Sequence, residues 1–214
     1  MKSEFILEML KNNEIEELKR ILEEEVYKNA MKNKGEKERY SAMKRFFRFA
    51  NKKEREALKK PCKDIKYNGK LYNCFMDNYC LAITTESIGN MENYDNSNKD
   101  YYNVGRIISF NGDMEKLDLN KILAIAKSKG YKFKKSEIDA NNANNALYYL
   151  KYKETYYKIV LLDKAFSVIN DEKESEVYYS GKNKVLIIKT SIGIAGICPI
   201  ILKGGIGSKI IIEN

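Results

Sequence analysis

Asp64-Ile65-Lys66-Tyr67-Asn68-Gly69-Lys70-Leu71-Tyr72-Asn73-Cys74-Phe75-Met76-Asp77-Asn78-Tyr79-Cys80-Leu81-Ala82-Ile83-Thr84 is the stretch that decides the fold. Asn68-Gly69 and Asp77-Asn78 each interrupt apolar or aromatic runs, as β-turns between short strands require. The reading is a three-strand meander over 64–67, 70–76 and 79–84. A helix-type segment precedes it, Met43-Lys44-Arg45-Phe46-Phe47-Arg48-Phe49-Ala50. The same order returns near 159–202. Val160-Leu161-Leu162-Asp163-Lys164-Ala165-Phe166 opens a helix over about 160–170, and strands follow at 174–180, 184–190 and 194–202, with Gly181-Lys182-Asn183 as a turn. Two helix-plus-three-strand units predict an α+β fold with those units as its two halves.

The chain in front of the first unit is helical. Ile6, Leu7, Leu10, Ile15, Leu18, Ile21, Leu22 and Val26 recur at helical spacing, with Asn12-Asn13 as a break. Residues 1–30 carry five Lys/Arg against eight Asp/Glu. Their apolar seam predicts packing on the rest of the chain, with a homodimer through residues 1–34 as the other reading. At Lys34-Gly35 the charge reverses, and residues 31–60 carry twelve Lys/Arg against four Asp/Glu. The spacing predicts one helix over 36–59, ended by Pro61. On it Lys37, Lys44, Arg48, Lys52, Arg55 and Lys59 fall within one arc about 80° wide. Ala42, Met43, Phe46, Phe47, Phe49, Ala50, Ala57 and Leu58 occupy the opposite side. Such a stripe suits backbone phosphates, and it equally suits a solvated helix face.

Between the two units, residues 86–103 read as a long polar loop and 105–110 as a strand. Residues 117–129 read as a helix ended by Gly130. Within 131–157, Tyr148, Tyr149, Lys151, Tyr152, Lys153, Tyr156, Tyr157 and Lys158 interleave aromatic and basic side chains. That pattern can stack bases, but it reads first as strand. The tail, 203–214, reads as a terminal hairpin around its glycines.

Composition narrows the chemistry. The 214 residues hold no His and no Trp, and the formal net charge is +9. Without His there is no Ser/His or Cys/His nucleophile system. Cys62, Cys74, Cys80 and Cys198 form no C-x-x-C pair, which excludes the usual zinc sites and fits a reduced cytoplasm. Carboxylates such as Asp95 with Asp100, Asp113 with Glu115, and Asp171 with Glu172 sit in turn-rich regions where solvated acids are expected. Asp163 reads as a capping or surface residue. Gly193-Ile194-Ala195-Gly196 and Gly204-Gly205-Ile206-Gly207 lack the strand-to-helix context of a nucleotide loop. No catalytic residue, metal site or cofactor is expected. No run approaches about 18 apolar residues, so no membrane span is expected, and with a polar opening after Phe5-Ile6-Leu7 no secretory leader is expected.

Some of these residues also carry a family resemblance. Ile159-Val160-Leu161-Leu162-Asp163-Lys164-Ala165-Phe166, Val177-Tyr178-Tyr179, Val185-Leu186-Ile187-Ile188 and Ile197-Cys198-Pro199-Ile200 resemble the closing βαβββ unit of bacterial sliding clamps. Ala42-Met43-Lys44-Arg45-Phe46, followed by Arg55-Glu56-Ala57-Leu58 and the meander, is similar to the opening of small clamp-like proteins of phages and mobile elements of low-GC Firmicutes. The resemblance covers about 45 residues at each end. It implies a single DNA-clamp-like domain over 35–202, with an acidic helical extension at 1–34, an irregular middle at 86–157 and a tail at 203–214. A complete clamp ring uses six such domains, and this chain would supply one.

The functional expectation is a non-enzymatic, DNA-associated accessory protein of the bacterial cytoplasm, binding through Lys37, Lys44, Arg48, Lys52, Arg55 and Lys59. The alternative is an anti-defence inhibitor of the anti-CRISPR type. It would bind a host nucleic-acid-guided effector nuclease, with Tyr101, Tyr102 and Arg106 as protein contacts.

Overall fold

The computed structural model of the chain describes residues 3–11, 14–30, 34–47, 58–89, 91, 104–108, 114–131, 147–170, 175–202 and 209–213. The fold is α+β. In chain order come α1 (Ser3–Lys11), α2 (Ile15–Ala30), α3 (Lys34–Phe46), β1 (Cys62–Tyr67), β2 (Lys70–Met76), β3 (Cys80–Thr84) and α4 (Val104–Ile107). They are followed by β4 (Glu115–Leu117), α5 (Leu119–Ser128), β5 (Tyr148–Tyr152), β6 (Thr155–Lys158), α6 (Ile159–Ile169), β7 (Glu176–Tyr179), β8 (Leu186–Lys189), β9 (Gly193–Ile197) and β10 (Ile210–Glu213).

Local chemistry builds both meanders. Asn68 and Gly69 both take positive φ, 47° and 77°, which closes the two-residue turn between β1 and β2. Between β2 and β3, Asp77 Oδ1 accepts the amides of Tyr79 at 2.7 Å and Cys80 at 2.8 Å, so one side chain folds the turn. The meanders then join edge to edge. The large sheet runs β1-β2-β3-β9-β8-β7-β4, and every neighbouring pair is antiparallel. Outward from the β3–β9 seam each side presents the third, second and first strand of its own meander.

Register assigns the two faces. Phe75, Ala82, Ala195, Ile188, Val177 and Leu117 form one row across six strands. That row belongs to the main core with Met43, Phe46, Leu162 and Ala165. There α6 lies over β3 and β9 while α3 packs on α6 and β2. Alternation sends Cys74, Met76, Leu81, Ile83, Ile187 and Ile194 to the other face, where Leu58, Val104 and Ile108 cover them. A second sheet, β10-β5-β6, completes the main core through Leu150, Tyr157 and Ile212.

Several expectations change. The stretch 105–110 holds no strand in its described part: 104–107 is a helical turn. Val104 and Ile108 are both buried one turn apart, and Ile108 N donates to Val104 O, so the buried pair follows the helical period. In its described part the middle, 86–157, holds the expected helix as α5 and also α4, β4 and β5. Asp118 caps α5 by accepting the Lys121 amide at 3.0 Å, and Gly130 follows its end at φ 93°. Of the expected terminal hairpin, the glycine-containing part 203–208 lies outside the described residues, and the described end is β10, which runs parallel to β5. The helix expected over 36–59 is described only as α3, and 58–60 is a turn. In the N-terminal segment, α1 and α2 pack chiefly on each other.

Candidate nucleic-acid interface

Helix α3 is bound on one side and open on the other. Tyr40, Ala42, Met43 and Phe46 are buried. The Phe46 ring lies 6.1 Å from that of Phe75 on β2, and the Lys164 ammonium sits 4.3 Å from its centroid. Lys164 is also held by an ion pair to Asp77 in the β2–β3 turn. Arg39 turns inward to Glu86 at 2.8 Å, so it is a structural cation. With those contacts fixing the roll of the helix, Lys37 and Lys44 are exposed on its outer side. Seven residues separate them by about 20° around the axis and roughly 10 Å along it. That rise matches about three phosphates along one DNA strand, whose charges recur at roughly 3.4 Å.

Of the other basic residues of the expected stripe, Lys59 alone is among the described residues. Arg48, Lys52 and Arg55 lie outside the described residues. Lys59 is half-buried in the 58–60 turn, next to Leu58, which packs on the sheet face opposite α3. The described part of the expected stripe is therefore Lys37 and Lys44 on α3, with Lys59 in the 58–60 turn. Of the expected protein contacts, Tyr101 and Tyr102 lie outside the described residues. Arg106 is exposed on α4, again on the face opposite α3.

Arg106 has company there that the sequence did not reveal. It lines a cavity of about 250 Å³ together with Lys184, Ser180 and the apolar Met114, Val185 and Ile187. The two cations lie 78 positions apart in the chain, and only the packing of α4 beside β8 brings them together.

The Tyr/Lys stretch forms the β5–β6 hairpin. Tyr148, Tyr149 and Tyr157 are buried, which removes their faces from any base. Tyr148 Oη donates to Lys129 O and Tyr157 Oη to Lys184 O, both at 2.8 Å. Burial pushes the Tyr157 phenol well above its ordinary range. Lysines near this hairpin sit on carboxylates: Lys153 on Glu115 at 2.5 Å, Lys151 on Glu213 at 3.0 Å, Lys116 on Glu176 at 2.6 Å, and Lys182 on Glu154. The Lys153 and Tyr152 hydrogen bonds hold Glu115 below the usual carboxylate range. Local neutralisation of this kind lowers the attraction of that side for phosphate.

Asp163 is neither a cap nor a surface residue. It is 8% exposed on α6, and its Oδ2 accepts from Tyr131 Oη at 3.2 Å, tying α6 to the end of α5. Burial, and then the Asp163 charge, push the Tyr131 phenol far up, so it stays a hydrogen-bond donor. Asp95, Asp100, Asp113, Asp171 and Glu172 lie outside the described residues. Among the described residues no group of three or more Cys, Asp or Glu could hold a metal ion, and no helix is long and apolar enough to cross a membrane.

The chain matches no family model, no curated protein and no solved structure. Function must therefore be argued from its own geometry.

Proposed function

We propose that this protein is a non-enzymatic, DNA-associated accessory protein of a phage or mobile element, and that α3 lies along the phosphate backbone without reading sequence. The observation that carries the reading is the pair Lys37 and Lys44, exposed together on a helix whose opposite side is buried in the main core. A net charge of +9 adds long-range attraction for a polyanion. A clamp-like two-half architecture is part of the same proposal. It is supported by the strand order around the β3–β9 seam and by α3 and α6 packing on each other over one face.

The test is fluorescence anisotropy on labelled double-stranded DNA across a salt series, comparing the wild type with Lys37→Gln/Lys44→Gln. Each phosphate contact contributes about 0.9 to the slope of log affinity against log salt. Loss of two contacts should reduce the slope by about 1.8. Absence of binding at low salt, or an unchanged slope in the variant, refutes the reading.

The anti-defence alternative is favoured by a different observation, the cavity lined by Arg106, Lys184 and apolar side chains. There an acidic effector protein would insert one apolar anchor between two cations. Arg106→Ala would then weaken capture of the effector while leaving DNA binding intact. For the oligomeric state, we infer pairing of two copies through the α1–α2 segment, where Leu7, Leu10, Ile15, Leu22 and Val26 are exposed.

A further inference from the structure

Cys62 on β1 and Cys74 on β2 are register partners, directly opposite each other in an antiparallel ladder. Directly opposed residues project to the same face of a sheet. Here both side chains are wholly buried in one apolar cluster with Leu58, Met76 and Ile83. Antiparallel partners have Cα atoms about 4.5 or about 5.5 Å apart, depending on the pair type. Both values fall inside the roughly 4.4–6.8 Å that a disulfide spans. The backbone already has the geometry a bridge needs, and all four cysteines of the chain are thiols.

The location supplies a route for oxidant. Among the described strands, β1 is the outer one of the large sheet. Its ladder shifts register between Cys62 and Ile65, where Asp64 takes a left-handed φ of 59°. A bulged edge strand is the part of a sheet that opens locally at least cost. Cys62 is the first residue of that strand and follows Pro61 and the 58–60 turn.

The remaining cysteines provide an internal contrast. Cys80 is partnered with Ile197, so Cys198 falls one position further and projects to the other side of the sheet.

We propose that Cys62 and Cys74 are a dithiol site that forms a reversible intramolecular disulfide with an oxidant of the disulfide class. With oxidised glutathione, the thiolate of one cysteine attacks a glutathione sulfur and expels one glutathione thiol. The second cysteine then attacks the mixed disulfide and expels the other. One S–S bond breaks and one forms. The two protein thiols are oxidised, the oxidant is reduced, and the two protons end on two glutathione molecules. The product staples the outer strand to its neighbour just after the basic segment ends. This inference stands independently of what α3 binds.

The full-length reduced protein, folded by circular dichroism, would be equilibrated in a glutathione redox series, quenched with acid, alkylated and mapped by mass spectrometry without reduction. The expected result is a species two hydrogens lighter, containing a peptide cross-linked between Cys62 and Cys74, with Cys80 and Cys198 still alkylated. Its yield should follow the ratio of oxidised glutathione to the square of reduced glutathione, and its melting temperature should exceed that of the reduced protein. The variant Cys80→Ser/Cys198→Ser should keep the same product. Persistent mixed disulfides without the cross-link, full alkylation of Cys74 across the series, or a bridge to Cys80 or Cys198 would overturn the proposal. The wild-type map decides even where a cysteine variant fails to fold.

Discussion

Gly193→Ala should destabilise the fold far more than Gly196→Ala, although both glycines lie in β9. Gly193 is where the end of α6 meets the seam strand. A Cβ there would come 2.6 Å from Ile169 Cγ2 and would also run into the carbonyl oxygen of Ile83. Ordinary carbon contacts are about 3.5–4.0 Å, so roughly 1 Å of movement is required. Ile83 O belongs to backbone paired across the β3–β9 seam, and it cannot retreat alone. Thr190 braces the same point, donating from Oγ1 to Ile169 O at 2.7 Å while its amide donates to Gly193 O at 2.9 Å. Overpacking against an immobile group costs about 3 kcal/mol, and alanine recovers at most about 1 kcal/mol of chain entropy, leaving about 2 kcal/mol. At Gly196 the obstacles are the side-chain methyls Val185 Cγ1 at 3.0 Å and Ile108 Cγ2 at 3.1 Å, which can rotate or shift. The net change there should stay within about 1 kcal/mol. Urea unfolding followed by far-UV circular dichroism reads the difference. With a slope of about 2 kcal/mol per molar, Gly193→Ala should lower the midpoint by about 1 M. A midpoint for Gly193→Ala equal to or above that of Gly196→Ala would show that the α6–β9 approach is not the close contact described.

The β2–β3 turn allows a two-step test. Asp77→Asn keeps an acceptor for the Tyr79 and Cys80 amides but loses the Lys164 ion pair, whereas Asp77→Ala loses both. Chemical denaturation should give losses of about 1–2 and about 3 kcal/mol respectively, and equal losses would mean the turn contributes nothing. Acid should weaken the fold through Glu115, Glu154 and Glu176, which hydrogen bonds from Lys153, Lys182 and Lys116 hold below the ordinary carboxyl value of 4.5. A carboxyl depressed in the folded state stabilises it above the unfolded value and loses that contribution as pH falls through the folded one. Thermal melts from neutrality to about pH 3 should therefore decline below 4.5, less so in Glu115→Gln; an identical acid limb in that variant would remove Glu115 from the account. Sedimentation equilibrium should report a dimer for the wild type and a monomer for Leu22→Lys/Val26→Lys, and a monomeric wild type would end the pairing reading.

The turn chemistry and the short periods of this chain were sufficient to find both meanders, α5 and α6. Asn68-Gly69, Asp77 and Gly130 act on their immediate neighbours, so their effect is written within a few residues. The shared outward direction of Lys37 and Lys44 was legible for the same reason, since helical period alone places residues seven apart on one side. Other features depend on partners far along the chain. The β3–β9 seam joins strands more than 100 residues apart, and β10 finds β5 as a parallel neighbour. Arg106 and Lys184 come to line one cavity only through the packing of α4, and Asp163 accepts from Tyr131, which follows α5. The turn at 58–60 takes Lys59 off the line of α3 because Leu58 is drawn to the second sheet face. Likewise the bulge at Asp64, not the spacing of the cysteines, sets Cys62 opposite Cys74. By itself the sequence determined which segments turn, coil or extend, because those choices are short-range. Tertiary structure alone decided which faces are covered and which side chains meet, because apolar burial is shared among all segments at once.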